Sequence, residues 1–145
     1  MPDSKSEQVL KKLHQLLVSG LAGVSVLRNE AVPLLIPAGG LVILRDGDPG
    51  APEFIHSPPT WFYEHRAEAE VYVDLGTADL RDAKFDDIKQ KIATALSGNR
   101  TLDGLVDYAV GENPAPLELS QEGVPGVKAA VIVIVLPYDT SDPLA

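Results

Sequence analysis

The densest group of ionisable side chains lies between Tyr63 and Glu70, in the run YEHRAEAE. This run places one histidine, one arginine and three glutamates within eight residues. Such side chains can act as general acids and bases or bind a metal ion, provided that they converge on one site. Whether they converge depends on the secondary structure that carries them.

The alternation of residue types in this region favours a β-strand. With a period of two, aromatic residues, His65, alanines and valines fall on one face of residues 61–73, and the charged side chains fall on the other. A helix would spread the acidic side chains around its axis. We therefore predict one long antiparallel strand on which His65 points away from the three glutamates, Glu64, Glu68 and Glu70. On that geometry they cannot share a metal ion, and we predict no metal site and no catalytic residue.

The rest of the sequence offers no other motif for catalysis or cofactor binding. The absence of cysteine excludes zinc–thiolate sites, iron–sulfur clusters and cysteine nucleophiles. No phosphate-binding glycine motif occurs, and Ser57 lacks the G-x-S-x-G turn that exposes a nucleophilic serine. Asp46 and Asp48 are spaced as at the start of a calcium loop, but Ser57 occupies the position that requires a glutamate. We therefore expect no cofactor.

Charge and hydropathy exclude two classes of partner. The chain has 21 acidic and 12 basic residues and a net charge of −9, which argues against sequence-specific nucleic-acid binding and against anionic membranes. Its longest apolar run, residues 129–136, is eight residues long, whereas a membrane-spanning helix needs about 20. We expect a soluble protein without a membrane partner.

Two helices are expected from apolar periodicity and capping residues. Ser4 and Glu7 form an S-x-x-E capping box, in which the glutamate reaches back to the start of the helix. Apolar residues then recur at three- and four-residue steps as far as Leu21. A second helix is predicted from about Asp79 to Ser97. Its predicted buried stripe consists of Leu80, Phe85, Ile88, Ile92 and Leu96.

The predicted strands come in runs, an order that is typical of a mainly antiparallel sheet. Besides the long strand we predict strands at Val24–Arg28, Leu41–Arg45, Leu117–Gln121 and Lys128–Leu136, the last one central in the sheet. Residues 46–60 contain four prolines and two glycines, which predicts a long surface loop. Residues 99–111 fit either a short helix capped by Thr101 or an edge strand. The prediction is a single α+β domain over residues 1–145, with about five strands, two helices on one face and the order α-β-β-β-α-β-β.

Three stretches carry a resemblance to a known family: IPAGGLVILRDGDPG (36–50), YEHRAEAEVYV (63–73) and NRTLDGLVDYAV (99–110). Together they resemble tail terminator or tail completion proteins of tailed bacteriophages, prophages and gene-transfer agents. The resemblance extends over roughly residues 6–140 and rests on overall pattern, since the family has no short diagnostic motif. It implies a virion structural protein that forms a ring, typically a hexamer, on the end of the tail tube. Such a ring stops tube polymerisation and presents a surface to the head–tail connector.

The resemblance also implies partners and a location. The partners are other copies of the chain, the tail tube protein and the head–tail connector, and a protein of this kind can remain monomeric until it meets the tube. It would lie in the host cytoplasm during assembly and in the virion tail afterwards. An acidic ring also suits a channel through which DNA must slide without sticking.

We place the predicted subunit interface on the proline-rich loop and on the charged face of the long strand. The candidate residues are Arg45, Asp46, Asp48, Glu64, Arg66, Glu68 and Glu70. On the strand, Arg66 lies within reach of the glutamates two positions before and after it, so we expect it to pair with them.

Two alternatives remain open. Some relatives carry an acyl-CoA transferase label, so the chain could be a small enzyme or ligand-binding domain that uses His65 and nearby glutamates, which would then have to converge in a pocket. It could also be an α+β interaction module that belongs to no virion.

Overall fold

The computed structural model describes residues 2–114 and 127–145. Its elements, in chain order, are α1 (Lys5–Gly20), β1 (Ser25–Arg28), β2 (Leu41–Asp48), β3 (Glu53–His56), β4 (Pro59–Asp74), α2 (Ala78–Gly98), β5 (Val110–Gly111) and β6 (Val127–Thr140).

Both helices begin at side-chain caps. Ser4 Oγ accepts a hydrogen bond from the backbone N–H of Glu7 at 3.3 Å, as predicted, and Thr77 caps α2 in the same way. The other half of the predicted capping box is wrong, because the Glu7 carboxylate pairs with Arg28 on β1. A guanidinium is a stronger partner for a carboxylate than a backbone N–H, so Glu7 forms the ion pair instead. The pair connects α1 to the sheet.

The strands form a sheet in the order β1-β2-β4-β6-β5. Strands β1 and β2 are parallel, and all other paired strands are antiparallel. The core combines the apolar faces of both helices with one face of the sheet. This confirms the predicted α+β class and the mainly antiparallel sheet, and the order of helices and strands broadly matches the predicted one, with β3 as an additional strand. We call the sheet face that points away from the helices the outer face.

Strand β4 alternates as predicted. His65, Ala67, Ala69, Val71 and Val73 are all buried and point toward the helices. The residues between them are exposed or partly exposed on the outer face. The separation of the histidine from the glutamates therefore follows directly from the two-residue period of the strand.

The predicted loop over residues 46–60 is wrong in its central part. Strand β2 continues to Asp48, with an irregular register at Gly47, whose φ is +71°. A Cβ at Gly47 would lie only 2.0 Å from the carbonyl oxygen of Arg66, so the two strands can approach this closely only where glycine stands. The chain then forms β3, which pairs with the first residues of β4. We call this hairpin, residues 49–62, the arm.

Several smaller predictions are also settled. Residues 99–111 form turns that end in the two-residue edge strand β5, so the edge-strand alternative holds only for Val110–Gly111 and the helix alternative is wrong. Leu80 is 55% exposed and does not belong to the buried stripe of α2, whereas the other four predicted residues do. The strand predicted at Leu117–Gln121 lies outside the described residues. Among residues 2–114 and 127–145, no helix is long and apolar enough to cross a membrane.

Candidate functional site

His65 lies on the buried face of β4 and is only 3% exposed. Its Nδ1 is 2.8 Å from the hydroxyl of Tyr138, and its Nε2 is 2.5 Å from the carbonyl oxygen of Asp46. A carbonyl can only accept, so Nε2 carries a proton and donates it to Asp46. In the neutral ring Nδ1 then accepts from the tyrosine hydroxyl. Both nitrogens are engaged, and the imidazole joins three strands, β2, β4 and β6.

Burial raises the pKa of Tyr138 to about 12, and the neighbouring Tyr63 adds to this effect. The hydroxyl therefore remains protonated at neutral pH and keeps its role as the donor to His65. Together, His65 and Tyr138 line a pocket of about 240 Å³ beside the N-terminus of α1.

The glutamates near His65 in sequence lie on the outer face, as predicted. Glu70 accepts a hydrogen bond from the hydroxyl of Tyr72 at 2.9 Å and pairs with Arg45 at 3.3 Å. Partial burial and the Glu70 carboxylate raise the pKa of Tyr72 to about 12, so the tyrosine stays a donor. The structure does not bring His65 and these carboxylates together, so the convergence required by the enzymatic hypothesis is not formed by these residues. Within the described ranges, no three histidine or acidic side chains converge as a metal site.

The sequence predicted that Arg66 pairs with its neighbours on β4, and this prediction is wrong. Its guanidinium pairs with Glu112, which follows β5. Strand β6 lies between these two residues, and the pair therefore crosses the outer face of β6 near Val133 and Val135. Across a strand, the guanidinium of Arg66 can bond both carboxylate oxygens of Glu112. Side chains along one strand stand parallel to each other, which makes such a two-bond contact harder to form.

The two acidic candidates on β2 are also engaged within the chain. Asp46 accepts from Arg28 at 2.9 Å and from the side chain of Asn29. Asp48 accepts from the backbone N–H of Gly50 at 2.9 Å and so closes the turn that leads into the arm. Of the seven candidate interface residues, Asp48, Glu64 and Glu68 form no ion pair in the part of the chain that the structure describes, and Glu64 and Glu68 form no side-chain hydrogen bond there either.

The exposed apolar surface lies elsewhere, and the arm carries much of it. Phe54, Ile55 and Phe62 are 41%, 51% and 36% exposed. The ring of Phe54 lies 4.5 Å from that of Trp61 and 4.6 Å from that of His56. Phe54, His56 and Trp61 thus cluster on one face of the hairpin, and Ile55 and Phe62 lie on the other. Trp61 and Phe62 also pair with Thr140 and Asp139 at the end of β6. The sequence showed these apolar residues, but it gave no indication that they lie exposed on the two faces of one hairpin.

A second exposed apolar surface lies on the connection between β1 and β2, residues 29–40, which we call the β1–β2 loop. Leu34 and Leu35 are 103% and 85% exposed, and Val32 is 44% exposed.

Comparison with known proteins adds no assignment, because no family model and no curated protein matches the chain.

Proposed function

We propose that the protein is a structural component of a bacteriophage or prophage tail. In this proposal several copies form a ring, typically of six, on the end of the tail tube. The ring stops polymerisation of the tube and joins the tail to the head–tail connector. The structural observation that carries the assembly role is the arm, an ordered hairpin that presents apolar side chains to solvent.

The arm is suited to docking because its shape is set before contact. Main-chain pairing between β3 and β4 fixes the backbone over four residue pairs, from Glu53 opposite Phe62 to His56 opposite Pro59. The packing of Phe54 against Trp61 restricts both rings. A preorganised apolar surface loses little conformational entropy on binding, so more of the burial free energy remains for association. Exposed aromatic clusters of this kind are typical of contact surfaces.

The outer face supplies a second candidate contact. Three partly exposed valines of β6, Val131, Val133 and Val135, lie on the outer face beside the charged row of β4, with Glu112, which follows β5, on their other side. The Arg66–Glu112 pair crosses these valines, and Arg45 with Glu70 lies on the β2 side. An apolar centre with charges around it resembles the anatomy of protein interfaces. Asp46 and Asp48 shape the base of the arm in this proposal, since their carboxylates are used within the chain.

The assignment to a phage tail and the choice of partners both rest on the sequence resemblance. They are further copies of this chain, the tail tube protein and the head–tail connector. The net charge of −9 is compatible with a ring that lets DNA pass without binding it.

The proposal is tested by the length of the tails. Tails assembled with and without the protein should be imaged by negative staining. We expect a narrow length distribution in its presence and overlong or variable tails in its absence. Equal length distributions in the two samples would reject the proposed function.

Charge reversal on the outer face tests the second contact. The variant Glu64→Lys/Glu68→Lys changes two acids whose loss breaks no ion pair among the described residues, so we expect an unchanged thermal midpoint. If subunits meet on this face, the variant should form fewer rings in light scattering and on tail ends in stained images. Asp79→Lys/Asp86→Lys on α2 is the matched control, since it also replaces two exposed acids by lysine, away from the outer face. Asp86 pairs with Lys89, so the thermal midpoint of the control is measured as well. Normal assembly of the Glu64→Lys/Glu68→Lys variant would remove the outer face from the interface.

A further inference from the structure

The β1–β2 loop holds its exposed leucines on a restrained backbone. Its ends are fixed by hydrogen bonds from the N–H of Ser25 to the carbonyl of Gly40, at 3.2 Å, and from the N–H of Asn29 to the carbonyl of Leu44, at 2.9 Å. Pro33 and Pro37 restrict the backbone between these ends. Removal of an exposed leucine side chain from water is favourable, so two adjacent exposed leucines can contribute to binding.

A pocket of about 220 Å³ lies at the opposite edge of the sheet, between α2 and β5, and we call it the α2–β5 pocket. Apolar side chains form much of its wall, namely Ile92, Leu96, Val110 and Ile132. Lys89 and Arg100 also line it. The guanidinium of Arg100 is fixed in place, because it donates to the carbonyl of Ala109 at 2.9 Å and lies over the ring of Tyr108.

The charges of the two surfaces are complementary. Glu30, which is exposed, is the only charged residue of the β1–β2 loop. The α2–β5 pocket has two cations, of which Lys89 also pairs with Asp86 at 3.5 Å on the exposed side of α2. Glu112, the acid that also lines the pocket, is paired with Arg66. A loop with two leucines and one carboxylate therefore matches a pocket with an apolar wall and basic residues.

The topology prevents the loop from filling the pocket of its own chain. Strand β1 forms one edge of the sheet and β5 the other, with β2, β4 and β6 between them. Four strand spacings separate these edges by about 19 Å. A contact between the two surfaces must therefore join different copies of the chain. Two different patches on one subunit make a head-to-tail contact, which is the kind that closes into a ring.

We propose that the β1–β2 loop of one copy inserts Leu34 and Leu35 into the α2–β5 pocket of a second copy, with Glu30 facing Lys89 and Arg100. This inference rests on the self-association included in the proposed function, but not on the tail. The occupant of the pocket is thus a second copy of this chain.

Cysteine cross-linking tests this contact directly, because the natural chain has no cysteine. One variant carries Leu35→Cys in the loop, and another carries Ala93→Cys at an exposed position of the pocket wall. Under mild oxidation at high protein concentration, we expect disulfide-linked dimers from the mixture that exceed several-fold those from either variant alone. A mixture of Leu35→Cys with Leu80→Cys is the matched control, since Leu80 is an exposed residue of α2 outside the pocket.

A charge swap tests the partner assignment within the same assay. Glu30→Lys in the Leu35→Cys variant should lower the cross-linking yield several-fold, and Lys89→Glu in the Ala93→Cys variant should restore it. A yield from the Leu35→Cys and Ala93→Cys mixture equal to that of the Leu80→Cys control would overturn the docking contact. So would a yield that Glu30→Lys leaves unchanged.

The two proposals fail separately. If tail length depends on the protein but the cross-link does not form, the tail function stands and this contact falls. If the cross-link forms but tail length is independent of the protein, the contact stands and the tail function falls.

Discussion

Strand β4 passes through two environments, and its sequence differs between them. From His65 to Asp74 it lies in the body of the sheet, with buried small or apolar residues alternating with charged or polar ones. From Pro59 to Phe62 it lies in the arm, where Trp61 and Phe62 are adjacent aromatic residues that point to opposite faces. In the body, β4 has one face packed against the helices and one face that is exposed or partly exposed, whereas the arm has apolar residues on both faces.

This difference separates the residues that make the chain fold from those that remain available for contact. A strand with one packed face needs apolar residues on that face only. Apolar residues on both faces are stabilising only if something covers both. In the arm Phe54 covers part of Trp61, and Phe62 remains 36% exposed. We therefore infer that folding selects the sequence of the body and assembly selects that of the arm.

The largest expected effect comes from placing a carboxylate in each half of β4. Val71→Asp puts a charge in the core, where Val71 is 0% exposed, and should destabilise the protein by more than about 3 kcal/mol or prevent folding. Phe62→Asp in the arm should leave the thermal midpoint nearly unchanged, because solvent reaches that position. Circular dichroism melting of both variants checks the comparison. Equal destabilisation by both would show that the arm belongs to the folding core.

A smaller effect is expected at the junction of the two halves, where Tyr138 donates to His65. Tyr138→Phe leaves Nδ1 of the buried imidazole without a partner and should lower the free energy of unfolding by about 1–3 kcal/mol. Urea denaturation measures this change. His65→Gln, which keeps polar atoms at the site, is the companion variant, and equal stability of wild type and both variants would contradict the hydrogen-bonded role of His65.

Tyr138 also predicts a dependence of stability on alkaline pH. Its pKa is raised from an ordinary value of 10.0 to about 12, so above pH 10 the unfolded chain loses a proton that the folded chain keeps. The contribution of Tyr138 is thus fully present below pH 10 and is lost as the pH rises toward 12. Between these values the midpoint should fall less steeply for Tyr138→Phe than for the wild type. Tyr72 also has a pKa raised to about 12, so Tyr72→Phe is measured alongside to separate its contribution from that of Tyr138.

The smallest effect on stability is expected from Arg66 on the outer face of the body. Arg66 and its partner Glu112 are both about half exposed, and exposed ion pairs contribute little to stability. Arg66→Ala should therefore barely change the thermal midpoint. Poor tail termination together with a normal midpoint would place Arg66 at a subunit contact, and a collapsed midpoint would contradict its position on a wet face.

Local sequence signals were sufficient for the parts of the fold that local physics decides. Ser4 marks the start of α1 through its cap, and the alternation from His65 to Val73 marks both the strand and its buried face. These signals depend on neighbours within a few residues. The separation of His65 from the glutamates follows from the same alternation.

Contacts between distant segments could not be read in this way. Glu7 pairs with Arg28, and Arg66 with Glu112, only because the fold brings α1 against β1 and places the residue after β5 near β4. Strand β3 is four residues long and lies among prolines, so its local pattern indicates a loop, and its pairing with β4 decides the structure. The exposure of Leu34 and Leu35 is also a tertiary property, since an apolar run is compatible with either burial or exposure.

The central claim, that the arm is a contact surface and not part of the core, is tested most directly by Phe54→Ser, with Leu80→Ser as the matched exposed control on α2. For each variant, the thermal midpoint and the lengths of tails assembled in its presence should be measured. We expect normal midpoints for both, overlong or variable tails for Phe54→Ser, and normal tails for Leu80→Ser. Tails of normal length with Phe54→Ser would contradict the account.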